Sequence, residues 1–156
     1  MRMRDGRNKK RVGLVAAVGL VAGVLATAAS QPVGAGAGSG GVEMPGDLVF
    51  TEVMQNPSIV ADSVGEWFEI KNVSTQPIDL DGWMVSDLDV DAFVVESSVV
   101  VPAGGYVVFG NNAESGINGG VSVDYEYSGM FLSNGADELV LSDPSGLEFD
   151  RIEWDG

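Results

Sequence analysis

Cysteine and histidine are both missing from the 156-residue chain. Their absence excludes thiol nucleophiles, histidine general bases, disulfides and zinc sites built from these two residue types. Carboxylates, hydroxyls and lysine amines are the groups left for chemistry. Because 45% of the residues are hydrophobic, the chain can still bury one core. That core has to hold the fold without covalent cross-links.

Basic residues are scarce beyond the N-terminus. Six of the eight lie within the first eleven residues, and residues 12–156 carry 22 acidic side chains against Lys71 and Arg151, a net charge of −20. A surface so acidic repels nucleic acid and anionic lipid headgroups, and it attracts cations and basic proteins. We therefore expect no nucleic-acid partner, a solvated acidic surface, and cations among the candidate ligands.

The first 28 residues have the pattern of a secretory signal peptide. Residues 1–11 are basic, residues 12–25 form an apolar run, and residues 26–28 form a small-residue cleavage pattern. The pattern predicts a secreted or cell-envelope protein. In the alternative interpretation the apolar run, about 18 residues when extended to Ala29, stays uncleaved as a membrane anchor. This segment would then be the only contact of the chain with a membrane.

The next segment, residues 29–46, is dominated by glycine and alanine and has few large side chains. Such a composition cannot pack a core and favours many backbone conformations, so it predicts a flexible, disordered linker. Residues 47–156 are left as a single folded domain.

The domain has an all-β pattern. Valine, isoleucine, phenylalanine and tyrosine cluster in short segments separated by glycine, proline, asparagine and aspartate, and no segment has a convincing helical period. The predicted strands are 48–54, 66–72, 83–87, 93–95, 98–101, 106–109, 123–127, 138–141 and 147–154. Their spacing favours a β-sandwich over an α/β sheet. The stretch 110–120, rich in glycine and asparagine, predicts a mobile loop.

The last two strands carry the clearest turn signal. Residues 143–146, Asp-Pro-Ser-Gly, lie between two apolar alternations, which predicts a hairpin. The apolar residues change parity between Phe149 and Ile152, which predicts a β-bulge near Asp150 and Arg151.

Several motifs in order along the chain resemble the lamin-tail domain, including its form in exported bacterial proteins. They are residues 52–57, 66–72, 79–83 with 86–87, 102–106, 132–137, and 139–141 with 143–146. Together they span nearly the whole folded region. The centre of the resemblance is the stretch Glu66-Trp67-Phe68-Glu69-Ile70, which also predicts the centre of the core.

The resemblance implies an immunoglobulin-like β-sandwich that acts by binding and is not an enzyme. The family has no catalytic residues to carry over, so the resemblance implies a protein-interaction module with an unknown protein partner. The signal-peptide pattern places that interaction at the cell surface or outside the cell, and the net charge argues against the nucleic-acid contacts of some lamin tails.

One acidic cluster is a candidate metal site. Asp87, Asp89 and Asp91 alternate along the chain, with Asp79 and Asp81 a few residues earlier. Carboxylate oxygens suit calcium, which takes six to eight oxygen ligands. An EF-hand loop is excluded, because glycine and glutamate are missing where that loop needs them. The alternatives are an irregular calcium site and a solvated loop without a cofactor.

Acidic and amide residues near the strands have either a catalytic or a structural role. Glu66 with Glu69, and Asp137 with Glu138, are the candidate carboxylate pairs of a hydrolase, the least favoured function. We expect structural hydrogen bonds instead from the polar residues at strand ends. These are Glu52, Asn56, Glu69 and Asn72.

The three tryptophans, at positions 67, 83 and 154, are expected to be core or half-buried anchors. If they instead form an exposed platform, the chain is a carbohydrate-binding module. The favoured hypothesis is thus a non-catalytic protein-interaction module, and the alternative is a secreted β-sandwich that binds calcium or carbohydrate.

Overall fold

A computed structural model describes residues 42–87 and 91–155 of the chain. The predicted signal peptide or anchor and most of the predicted linker lie outside these residues, as does Asp89. Within the part that is described, no helix is long and apolar enough to cross a membrane.

Two four-stranded sheets form the domain, which confirms the predicted all-β class. In the first sheet the order is β1 (Leu48–Met54), β2 (Trp67–Asn72), β7 (Tyr106–Gly110) and β8 (Tyr125–Glu126). In the second it is β10 (Glu148–Trp154), β9 (Asp137–Ser142), β4 (Met84–Ser86) and β5 (Ala92–Val94). A short pair, β3 (Ile78–Asp79) and β6 (Val100–Val101), adds a third sheet. One helical turn, α1 (Asp62–Gly65), precedes β2.

Strand β2 organises the core through its two-residue period. Phe68, Ile70 and Asn72 are buried on one face, whereas Trp67 and Lys71 are half-buried on the other. Phe68 is fully buried, and its ring stacks on that of Phe109 at 5.2 Å between centroids. Further rings, those of Phe50, Phe93 and Tyr127, surround it within 6.4 Å. The aromatic side chains of both sheets therefore meet around Phe68.

Asn72, the buried polar residue of this face, has the structural role expected from the sequence. Its Nδ2 donates to the carbonyl oxygens of Gln76 at 2.7 Å and Val101 at 3.0 Å. Its Oδ1 accepts from the backbone N–H and the hydroxyl of Ser74. These bonds replace the hydrogen bonds with water that the side chain loses on burial. They also join β2 to the following turn and to β6.

The predicted hairpin is confirmed: β9 pairs antiparallel with β10. The Gly146 N–H donates to the Asp143 carbonyl, and Gly146 adopts the positive φ of 84° that the turn requires. The register shifts between Glu148 and Asp150, so the bulge lies one residue before the predicted position. Because of this shift, Phe149 and Trp154 both reach the core although their parities differ.

The bulge also connects the two sheets. It directs the Asp150 carboxylate to the first sheet, where Oδ2 accepts the N–H of Phe50 at 2.8 Å. The Gly46 N–H donates to the Phe149 carbonyl at 2.9 Å. Strands β1 and β10, at the edges of their sheets, are therefore tied together.

The structure differs from the sequence prediction in several elements, among them the strand predicted at 98–101, of which only Val100–Val101 forms β6. Strand β3 and helix α1 were not expected, because two and four residues are too short to show a period. The predicted strand at 123–127 is reduced to Tyr125–Glu126, which pairs in parallel with the end of β7. The tryptophans follow the expectation: Trp83 and Trp154 are buried in the core, and Trp67 is half-buried on the outer face of β2.

The core position of Phe68 gives a stability prediction. Phe68→Ala should lower the free energy of unfolding by about 3–5 kcal/mol, because it removes the ring on which the other aromatics pack. Trp67→Ala, on the outer face of the same strand, is the matched control and should cost about 1 kcal/mol. Urea unfolding followed by fluorescence measures both, and equal losses would contradict the assignment of the two faces.

Candidate functional site

Several loops leave the first sheet at one end of the sandwich. Met54, the last residue of β1, pairs with Trp67, the first residue of β2. Trp67 also pairs with Gly110, the last residue of β7. The segments 55–66 and 111–124 therefore meet the sheet at the same end of its strands.

The second sheet contributes its loops to the same end. Ser86 closes β4 and pairs with Ala92, which opens β5, so Asp87 and Asp91 lie where these strands turn. The segment 127–136 leads into β9, and its Leu132 N–H donates to Glu66, the residue before β2 of the first sheet. We call this set of segments, 55–66, 111–124 and 127–136 with Asp87 and Asp91, the loop end.

Glu66 lies at the centre of the loop end. Its Oε2 accepts the Leu132 N–H at 3.2 Å and faces Asn111 Nδ2 at 3.4 Å. Asn111 Nδ2 also donates to the Asp62 carbonyl at 2.7 Å, and Asp62 Oδ2 accepts Asn134 Nδ2 at 2.8 Å. The hydrogen bonds of Glu66, and those of the Asn111 and Asn134 amides to Asp62, thus connect all three segments. This is a structural role, as expected for the carboxylates of this stretch, but Glu66 itself was not expected to be so deeply buried.

Burial raises the pKa of Glu66 to about 7. The Leu132 N–H acts in the opposite direction, and the negative charges of Asp62 and Asp137 add to the rise. Burial, and then the charge of Glu66, raise the pKa of the nearby Tyr127 hydroxyl. The Tyr127 hydroxyl and Asn111 Oδ1 are buried and make no hydrogen bond within the described residues. The acid therefore sits in a polar but poorly solvated environment.

A second buried amide, Asn118, closes the segment predicted to be a mobile loop. Its Nδ2 donates to the carbonyl oxygens of Asn112 and Val121, each at 2.9 Å. Its Oδ1 accepts the N–H groups of Gly120 and Val121. These four hydrogen bonds hold the loop in a compact form, and its mobility stays a prediction.

The candidate calcium residues are brought together only in part. Asp87 Oδ1 accepts the Asp91 N–H at 3.0 Å, and Asp91 Oδ2 accepts the Phe131 N–H at 3.3 Å. Asp79 lies apart on β3, where hydrogen bonds from Ser98 and from the backbone lower its pKa. Among residues 42–87 and 91–155 no three acidic side chains form a group suited to a metal. Calcium binding at Asp87, Asp89 and Asp91 stays a prediction.

The two carboxylate pairs of the hydrolase hypothesis do not face each other. Glu66 shares the buried parity of Phe68, whereas Glu69 lies on the opposite face and accepts the Thr51 hydroxyl at 2.6 Å. Asp137 and Glu138 are adjacent on β9, where successive side chains point to opposite faces. Neither pair has the arrangement that a glycosidase requires across one cleft.

The aromatic side chains give no support to a sugar platform on the described surface. Trp83 and Trp154 are buried, and the Trp154 indole donates to the Ser133 carbonyl at 2.9 Å. The exposed rings of Tyr106 and Phe131 lie at opposite ends of the sandwich, and Tyr106 is covered by the Lys71 ammonium at 4.7 Å. Carbohydrate binding remains an untested alternative.

Parity is the sequence signal that was available for Glu66. The residue is two positions before Phe68 and four before Ile70, so an extension of the β2 alternation places it on the buried face. The identity of its partners, Leu132 and Asn111, depends on contacts across 66 and 45 residues, which no local pattern contains.

Comparison with protein families finds a match for this domain. The model of the Lamin Tail Domain matches residues 42–156, which include the whole described sandwich and the loop end. No curated protein matches the chain. The match extends over the motifs on which the resemblance rested.

The raised pKa of Glu66 predicts a pH-dependent stability. Between the ordinary value of 4.5 and about 7, the folded chain keeps a proton that the unfolded chain releases, so this group destabilises the fold progressively as the pH rises. Glu66→Gln stays neutral and can still accept the Leu132 N–H. The variant should therefore gain stability relative to the parent by up to about 3 kcal/mol between pH 4.5 and pH 8.

Chemical unfolding of both chains at several pH values measures this difference, because the other titrating groups are common to both. Glu153→Gln removes the same charge from an exposed side chain and controls for the change in net charge. A difference between Glu66→Gln and the parent that does not change with pH would contradict the assignment.

The calcium prediction is tested by calorimetric titration and thermal melting. A bound ion stabilises only the folded chain, so millimolar calcium should release heat and raise the melting temperature. The double variant Asp87→Asn, Asp91→Asn should lose both effects, whereas Asp143→Asn in the distant hairpin turn should keep them. The hypothesis is removed if the parent chain gives neither heat nor a shift.

Proposed function

The chain belongs to the lamin tail domain family, and from that premise we propose that it is a non-catalytic binding module that acts through protein interaction outside the cytoplasm. The family consists of immunoglobulin-like domains without catalytic residues. The observation that carries the proposal is the match over residues 42–156, which covers the entire described domain.

The buried polar groups bond to the sandwich itself, which supports a binding role over a catalytic one. Asn72, Asn118 and Glu66 all serve to connect strands and loops of the sandwich. Glu69 bonds to Thr51, and Asp91 bonds to the backbone at Phe131. Glu66 and Glu69, which were considered for catalysis, thus have architectural partners, and a surface held rigid in this way loses less conformational entropy when it binds a partner.

Charge narrows the class of partner. Residues 12–156 carry a net charge of −20, and their two basic residues, Lys71 and Arg151, lie on strands β2 and β10. Arg151 is engaged with Glu148 at 2.8 Å, and Lys71 lies over Tyr106. The field around the domain therefore favours association with positively charged proteins and opposes association with nucleic acid.

The proposed location, secreted or in the cell envelope, rests on the sequence. The basic residues 1–11, the apolar run 12–25 and the small residues 26–28 follow the order of an export signal. An exported domain without cysteine has no disulfides and depends on its hydrophobic core for stability.

Fractionation and cross-linking test the proposal together. The tagged full chain, expressed in its source cell, should appear in the envelope or the medium and should be cross-linked to one or a few proteins. Raising the salt concentration before cross-linking should weaken capture, because screening reduces the attraction between exposed charges. A chain that stays in the cytoplasm contradicts the location. Hydrolysis of a glycoside that Glu66→Gln abolishes contradicts the non-catalytic assignment.

A further inference from the structure

We propose that the loop end is a docking surface for a partner protein whose contact segment combines apolar side chains with lysine or arginine. The proposal rests on the protein-interaction function proposed above and adds to it the surface used and the chemistry of the partner.

The loop end exposes three large apolar side chains next to acidic residues. Ile59 is 78% exposed, Ile117 is 45% exposed and Phe131 is 67% exposed, and each lies on a different segment. Exposure of large apolar side chains to water is unfavourable, so their burial against a partner would lower the free energy of the complex. A phenylalanine and two isoleucines on three adjoining segments therefore supply the apolar part of an interface.

The segments that carry these side chains are held in place. A Cβ atom at Gly119, which has a φ of +89°, would lie 3.6 Å from Ile59 Cδ1 and 3.5 Å from Val60 Cγ2. The segment with Ile59 therefore packs on the segment with Ile117.

Phe131 is fixed on both sides. Its own N–H donates to Asp91 Oδ2 at 3.3 Å, and the N–H of the next residue, Leu132, donates to Glu66 at 3.2 Å. Surfaces ordered in this way bind with a smaller loss of conformational entropy than flexible ones.

The charge of the loop end selects the partner. Segments 55–66, 111–124 and 127–136 present the carboxylates of Asp62, Glu114 and Asp124 to solvent, that of Asp62 in part, and contain no lysine or arginine. A second copy of the chain would place acidic residues against acidic residues, and an anionic membrane would be repelled in the same way. A protein segment with lysine or arginine around its apolar residues satisfies both features of the surface.

The direction of the chain leaves the loop end accessible. Leu48, the first residue of β1, pairs with Asn72, the last residue of β2, at the end of the sandwich opposite to Met54. The chain therefore enters the domain at the end away from Ile59, Ile117 and Phe131. A partner can approach the loop end without contacting the point of entry.

The test is a selection from a phage-displayed library of random peptides on the full chain, immobilised through its N-terminus. Enriched peptides should contain aromatic or aliphatic residues together with lysine or arginine, and their binding should weaken as salt rises. The variant Ile59→Ser, Ile117→Ser, Phe131→Ser should bind them about tenfold more weakly or worse. Glu114→Lys, which alters charge alone, should also weaken binding.

The matched control is Val73→Ser, Val100→Ser, Leu147→Ser. These side chains are between 48% and 51% exposed and lie outside the loop end, so this variant should bind as the parent does. Melting curves check that each variant is folded. If the triple loop variant is not, Phe131→Ser and Glu114→Lys singly decide the result.

Three results would overturn the proposal: no enriched peptides, enriched peptides that bind the loop variants and the parent equally, or self-association of the parent that the loop substitutions abolish. Cross-linking in the source cell separates this proposal from the general function. Capture of the same proteins by the parent and the loop variants rejects the loop end but leaves protein interaction standing. A parent chain that captures no protein rejects both.

Discussion

The strict alternation of β2 is the constraint on which the rest of the domain depends. With no cysteine in the chain, stability has to come from the core, and the core is assembled around Phe68 and Ile70 on one face of this strand. The same alternation places Asn72 inside at one end of the strand and Glu66 inside at the other. The two polar residues then connect the strand ends to the surrounding loops, so a single period of two residues determines both the hydrophobic centre and the polar junctions at its ends.

Both open sides of the sandwich are closed by contacts between the sheets. On one side the bulge at Phe149 brings Asp150 to the backbone of β1. On the other side the Tyr125 hydroxyl accepts the Glu96 N–H, and its ring stacks against Phe93. Exposed strand edges are sites of unwanted pairing between chains, and these contacts cover them. At the loop end, by contrast, Ile59, Ile117 and Phe131 remain exposed on adjoining segments.

Sequence reasoning was reliable where the signal is local. The first strand was placed at Leu48–Met54, and the hairpin followed from Asp143 and Gly146 because proline and glycine determine the turn backbone. It was weaker for β3 and for the one-turn helix, which are too short to show a period. It missed the burial of Glu66, and the compact form of the 111–121 loop, because both depend on amides whose contacts cannot be read from composition. The acidic composition of residues 87–91 predicts a calcium site. In the structure the carboxylates of Asp87 and Asp91 accept hydrogen bonds from backbone N–H groups.

The opposite placement of the chain entry and the loop end has a consequence for distance. Strand β1 runs from Leu48 to Met54, and the six steps between its seven residues, at about 3.3 Å each, span about 20 Å. The folded domain is therefore a rigid spacer of that length between the point where the chain enters and the proposed docking surface. This length is set by a hydrogen-bonded sheet and is therefore fixed by the domain itself.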